Sequence, residues 1–290
     1  IKQTEHYIID GVKVLLVPSV RYIPKSSFSF KSIIYKAKKE IIAYLEKELF
    51  TPDAFVVHFP TEQWAIVESV KEKIECKPIP IFHNYDLKSH KLLSRIISKS
   101  DIIGVRSESI KNSIENIYGK NVQSFYAISG APDYIYKMRR KTNQEFNSVK
   151  RVILYAGLLI PRKNVDITIK ALANLKMSYD FVFKIVGDGP EKRNLQKLVN
   201  DLDMSDRVIF LGSKTREDVI KLMLKSDCFM MCSYPETFGL VYIEAMASGC
   251  FVIGSKGQGI DGIIRDKING YLVEPNNVND LTERTLNYFN

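Results

Sequence analysis

Between residues 151 and 254 of this 290-residue chain, apolar runs of five or six positions alternate with stretches whose apolar residues recur every three or four. Arg151–Leu159 (RVILYAGLL) is the first run, and Val165, Ile169, Leu172 and Leu175 follow at helical spacing. Phe181–Val186 is a second strand, closed by Gly187-Asp188-Gly189-Pro190, and Glu191–Leu202 carries Leu195, Leu198, Val199 and Leu202 on one helical face. Arg207–Leu211, Cys228–Cys232 and Cys250–Gly254 read as further strands, with helices over Arg216–Ser226 and Leu240–Ser248 between them. Short, continuously apolar strands separated by helices predict a parallel sheet buried on both faces, a doubly wound α/β domain.

Residues 1–136 repeat the grammar less regularly. Val12–Val17, Ala54–Phe59, Pro78–Phe82, Ile102–Val105 and Ser124–Ile128 read as strands, and Lys31–Leu49, Trp64–Ile74 and Glu108–Tyr118 as helices. Residues 137–150 (KMRRKTNQEFNSVK) are polar, charged and without apolar period, which predicts a linker to a second domain over 151–290. Two such domains are expected to bind a ligand in the cleft at the carboxyl ends of their strands.

Charge divides the chain unevenly. The net charge is +9, yet residues 1–150 hold 24 Lys and Arg against 16 Asp and Glu, while residues 151–290 hold 18 against 17. A basic first half suits an anionic partner: a phosphate-bearing acceptor, a membrane surface or nucleic acid. With no helix-turn-helix, zinc finger or aromatic stacking platform in the sequence, nucleic acid is not expected. Lys36, Lys39 and Lys47 can share a broad polar face of the long helix, with Lys31 and Lys38 nearby, which suits an anionic membrane surface, though a solvated Lys-rich face accounts for the same pattern. Cys76, Cys228, Cys232 and Cys250 lack metal-ligand spacing, and three lie in apolar runs, so they read as structural thiols of a reducing, cytoplasmic compartment. No apolar stretch reaches the roughly 20 residues a spanning helix needs.

The densest chemistry lies in residues 233–249, SYPETFGLVYIEAMASG. Glu236 precedes a helix start and Glu244 follows eight positions later inside the helix. Phe238, Gly239 and Leu240 occupy the first turn, where backbone N–H groups lack intrahelical partners and the helix dipole is positive, a setting that suits a phosphate. Carboxylates flanking that turn can accept from sugar hydroxyls. They can equally be a dipole-matching Glu and a solvated one, and spacing alone leaves the two open.

Embedded in PETFGLxxxEAMASG, the Glu236-x7-Glu244 pair resembles the signature of family 4 retaining glycosyltransferases, enzymes of the GT-B fold. Other segments match in order: Tyr155–Lys163 (YAGLLIPRK), Val186–Pro190 with Arg207–Gly212, and Gly257–Pro275 ending in NGYLV. The resemblance implies two Rossmann-like domains and transfer of a hexose from a nucleotide sugar, such as a UDP- or GDP-hexose, to a saccharide or lipid-linked acceptor in surface polysaccharide or glycoconjugate synthesis. No metal or other cofactor is implied, and no D-x-D element occurs at the predicted strand ends. By the same resemblance Glu236 contacts the donor sugar near the reacting centre and Glu244 the ribose hydroxyls. Phe238, Gly239 and Leu240 offer backbone donors, Gly157 belongs to the phosphate loop, and Lys163 neutralises the diphosphate. The family commonly carries an Arg after the glycine equivalent to Gly157; here Leu158 stands there, and Arg162 is the candidate replacement.

In the first half, His83 ends the strand of IPIFHNYD and matches a family His that reaches the donor sugar, with Asn84 and Asp86 as acceptor-contact candidates. Asp10–Val14 resembles a strand well inside the family's N-terminal domain, so that domain is expected to lack its first β-α-β portion. The alternative function is a non-catalytic, glycosyltransferase-like subunit supporting an active partner. The expected location is cytoplasmic, including the cytoplasmic face of the membrane.

Overall fold

A computed structural model describes residues 5–9, 12–16, 27–60, 62–83, 90–119, 121–138 and 150–290, and divides into two compact units. The first comprises residues 1–105 and 113–126, the second residues 106–112 and 127–290. Most of the linker expected at 137–150 lies outside the described residues.

In the first unit, strands β1 (Glu5–Ile9) and β2 (Val12–Leu16) form an antiparallel hairpin. The sequence reading had only the second of them, and placed it in the parallel sheet. An Asp-Gly pair between two alternating runs is a hairpin signal, and the hairpin is the pairing that forms. Helix α1 (Ser27–Lys47) follows. Then β3 (Ala54–His58), α2 (Glu62–Lys71), β4 (Lys77–Phe82), α3 (His90–Ser98), β5 (Ile103–Val105), α4 (Glu108–Tyr118) and β6 (Ser124–Tyr126) alternate. The four strands β3-β4-β5-β6 pair in chain order, all parallel. Trp64, Phe82, Leu93 and Ile96 are fully buried between strands and helices. Beyond that core Glu68 of α2 meets Arg95 and Lys99 at 2.6 and 2.7 Å. Partial burial works to raise its carboxyl pKa, but the two cations outweigh it and hold the group below its ordinary value.

The second unit opens with α5 (Asp133–Lys137), whose Ile135 is fully buried in that unit's core. Strands β7 (Arg151–Ala156), β8 (Phe181–Val186), β9 (Val208–Gly212), β10 (Cys228–Met230), β11 (Phe251–Ser255) and β12 (Tyr271–Val273) alternate with α6 (Val165–Ala173), α7 (Lys192–Asp201), α8 (Arg216–Met223), α9 (Leu240–Ala247) and α10 (Val278–Phe289). The sheet order is β12-β11-β10-β7-β8-β9. Every paired strand runs parallel, and Ile153, Leu154, Tyr155, Phe181, Phe183 and Phe229 are wholly buried, as an apolar strand covered on both faces requires. The chain adds β8 and β9 on one side of β7, then crosses to add β10, β11 and β12 on the other. That reversal is the topological switch point of an open α/β sheet, and it sets the loops after β7 and β10 side by side.

Two glycines make this end of the sheet possible. A Cβ on Gly187, after β8, would lie 1.8 Å from the Gly157 carbonyl oxygen, so the two loops can approach only without it. Gly239, ahead of α9, has φ +73°, a left-handed conformation that costs glycine little. The four cysteines are all buried, as their apolar runs suggest. Burial pushes the Cys232 thiol up to about 12 and moves those of Cys228 and Cys76 in the same direction.

Candidate functional site

The site grows from the two loops at the switch point. After β7 the chain makes a single tight turn at Pro161–Lys163 and enters α6 through Asn164, itself left-handed at φ +52°. Buried Asn164 donates from Nδ2 to the Cys232 carbonyl and to Asn276 Oδ1, both at 2.8 Å. The Tyr234 N–H donates to the Arg162 carbonyl at 2.7 Å, and Arg162 Nη1 to the Pro235 carbonyl at 3.1 Å. These bonds hold Arg162 and Lys163 against the stretch that carries Glu236.

Glu236 is buried, and its carboxylate is the hub. Oε2 pairs with Lys163 Nζ, accepts from Ser233 Oγ at 3.0 Å and lies 3.8 Å from Arg162 Nη1. Oε1 accepts from the Thr237 N–H at 3.2 Å. The backbone is pinned as well: the Glu236 N–H donates to Gln258 Oε1 at 2.8 Å, and its carbonyl accepts from the Gly259 N–H at 3.1 Å. A carboxylate out of water needs this much compensation. Beneath it, burial raises the Tyr155 hydroxyl well above its ordinary pKa, with the Glu236 charge adding to the effect, and that hydroxyl donates to the Leu158 carbonyl at 2.9 Å. Leu158 itself is largely exposed, at 62%.

From Glu236 the chain turns through buried Phe238 and Gly239 into α9. The Phe238 ring lies 4.8 Å from the guanidinium carbon of Arg106, which belongs to the same unit. Arg106 donates to the Ala127 carbonyl at 2.8 Å and to Ser129 Oγ at 2.9 Å. One turn into α9, Glu244 is also buried, not the solvated helix residue that spacing allowed. Arg216, the first residue of α8, donates from Nε to its Oε1 at 2.7 Å, and its Nη2 lies 2.5 Å from the same oxygen.

The structure therefore brings Lys163, Arg162 and Glu236 into one cluster and places Phe238, Gly239, Leu240 and Glu244 on the segment leading from it. Gly157 sits at the neighbouring loop, its N–H donating to the Val186 carbonyl at 3.0 Å. His83, in the first unit, is buried just past β4, with His58 Nδ1 3.3 Å from its Nε2 and the Phe59 ring stacked at 3.7 Å. Asn84 and Asp86 lie outside the described residues. Sequence reasoning missed Ser233, Gln258, Arg216, Arg106 and His58. Ser233, three residues ahead of Glu236, had a local signal; Gln258 and Arg216 reach their partners across 22 and 28 residues, which no spacing rule registers. Among the described residues no group of three or more His, Cys, Asp or Glu could hold a metal ion, and no helix is long and apolar enough to cross a membrane.

Two α/β units, each with helices alternating with the strands of a parallel sheet, are the architecture of the GT-B class. Within it, residues 137–289 match the family model described as glycosyl transferases group 1, and the chain belongs to that family. N-acetyl-alpha-D-glucosaminyl L-malate synthase of Bacillus anthracis is 28% identical over 194 residues, 66% of this chain and 50% of that protein, so the chain spans about half of that relative's length. Among solved structures, sucrose-phosphate synthase from Thermosynechococcus elongatus superposes with a TM-score of 0.74 at 20% identity, over 98% of this chain and 75% of that one. HepE of Anabaena, solved in complex with UDP and glucose, gives 0.64 at 21% identity, over 90% and 72%.

Proposed function

We propose that the chain acts as a retaining glycosyltransferase that moves a hexose from a nucleoside diphosphate sugar to a saccharide or lipid-linked acceptor in polysaccharide or glycoconjugate synthesis. The observation that carries this reading is the convergence of Lys163, Arg162 and Ser233 on the buried Glu236, beside the start of α9. A carboxylate held by fixed donors can accept from sugar hydroxyls. The Lys and the helix terminus supply positive charge where a departing diphosphate develops its negative charge, so this reading includes no metal. Donor binding draws Lys163 toward the diphosphate and frees Glu236 Oε2 for the sugar. Glu244, the second carboxylate, takes the ribose. HepE, crystallised with UDP and glucose, is the kind of donor complex this reading expects.

Retention proceeds on the front face: the acceptor oxygen bonds the anomeric carbon as the phosphate oxygen leaves from the same side, taking the acceptor's proton. His83 is assigned to the donor sugar. The basic first half serves an anionic acceptor or membrane surface at the cytoplasmic side, with Lys39, Tyr35, Leu49 and Phe50 exposed along and just beyond α1 as support.

The test is Glu236→Ala in the complete protein. Turnover of UDP- or GDP-hexose by the wild type is expected to disappear while the circular dichroism spectrum is unchanged; undiminished turnover would sink the assignment. A second reading, a non-catalytic subunit, is favoured by Leu158 standing where the family carries Arg. A wild-type protein that neither binds nor turns over any nucleotide sugar would establish it over the first.

A further inference from the structure

Arg216 is an odd residue to find at the first position of a helix. The N-terminal end of α8 is capped by Thr215, whose hydroxyl accepts from the Asp218 N–H at 3.2 Å, and Glu217 and Asp218 fill the first turn. Acidic residues suit that end of the dipole, and an Arg opposes it. The two local acids do not compensate Arg216, because both pair with Lys221, at 2.7 and 3.9 Å. Arg216 instead reaches across 28 residues to Glu244, where Nε donates to Oε1 and Nη2 lies against the same oxygen. The guanidinium stays about half exposed while the carboxylate is almost wholly buried, with 8% of its side chain accessible.

That geometry is asymmetric. Both guanidinium nitrogens meet Oε1, and among the described residues no donor is seen on Oε2. We infer that Arg216 is a positioning residue for nucleoside recognition: it locks the Glu244 carboxylate so that Oε2 faces a vicinal diol, and so makes the site select ribonucleotides over 2′-deoxyribonucleotides. The inference rests on the donor reading above, in which Glu244 takes the ribose. It goes further in assigning sugar-moiety selectivity to a side chain outside the Glu236-x7-Glu244 segment. A planar guanidinium that meets the carboxylate oxygen with two nitrogens restrains it more than a lysine ammonium with a single point of attachment.

The experiment is calorimetry on the complete protein with UDP and 2′-deoxy-UDP, and with GDP and 2′-deoxy-GDP. Wild type is expected to favour the ribonucleotide by about 10- to 100-fold, the range of one hydrogen bond to a charged group. Arg216→Met is expected to bring that ratio to within about threefold by weakening the ribonucleotide alone, Arg216→Lys to fall between, and Glu244→Gln to match Arg216→Met. Removing Arg216 strands the mostly buried Glu244 carboxylate, so Arg216→Met is expected to melt below wild type, and binding is measured well below both transitions, where each protein is folded. Equal weakening of both nucleotides by Arg216→Met, or a tighter ribonucleotide, overturns the inference while leaving the donor reading standing. If wild type binds none of the four, the donor reading itself fails and the inference goes with it.

Discussion

The ion pair between Lys163 and Glu236 permits a quantitative test that needs no substrate. Their side chains are 12% and 10% accessible, so both charges are mostly out of water. Removing one partner of a buried pair typically costs about 3–5 kcal/mol, chiefly because the other charge is stranded. Lys163→Met should fall at or just below the low end, about 2–3 kcal/mol, since Glu236 keeps the Ser233 hydroxyl, the Thr237 N–H and Arg162 at 3.8 Å. Glu236→Gln should cost about 3 kcal/mol, because Lys163 is then left with little more than the Met231 sulfur, 3.9 Å away. The double substitution strands neither charge and should cost no more than about 2 kcal/mol, giving a coupling energy of about 3–4 kcal/mol. Urea unfolding followed by far-ultraviolet circular dichroism measures all four proteins. Trp64, the only tryptophan, is buried in the first unit, so its fluorescence follows that unit and its transition should not move. Additive costs, with coupling below about 0.5 kcal/mol, would refute the claim that this pair is an energetic unit. A matching shift of the Trp64 transition would refute its confinement to the second unit.

Two further outcomes are expected. The complete protein should pellet with vesicles containing anionic phospholipid and much less with neutral ones, and the difference should shrink as salt rises toward 0.5 M; salt-independent binding, or none, removes the membrane role proposed for the basic half. The buried thiols should resist alkylation. With the Cys232 pKa raised to about 12, only about one molecule in ten thousand carries the thiolate at pH 8, and lower pH makes it rarer still, so iodoacetamide should label no Cys232 until urea unfolds the second unit. Labelling of the native protein at pH 8, read by mass spectrometry, would contradict the packing of β10.

The second unit was readable from the chain because each of its strands is a buried parallel one, for which an apolar run is the direct signature. Its helices declared themselves by period, and the boundaries shifted by only a few residues. The hairpin of β1 and β2 was not read, although Asp10-Gly11 carried a local signal for it. Helix α3 was not read, although at nine residues it is no shorter than α6, α8 or α9, which were. At the site the division is sharper. What depends on backbone alone, a glycine ahead of a helix with a carboxylate on either side, is local and legible in PETFGLxxxEA. What depends on charge meeting charge is not. Lys163 joins Glu236 across 73 residues and Arg216 joins Glu244 across 28, and both meetings exist only because of where the sheet sets its loops. On the proposed function the sequence motif places the phosphate and the sugar, and the topology sets which cation meets each carboxylate. A substitution at Glu236 should change affinity for the whole donor. One at Arg216, outside the motif, should change which nucleoside the same backbone accepts.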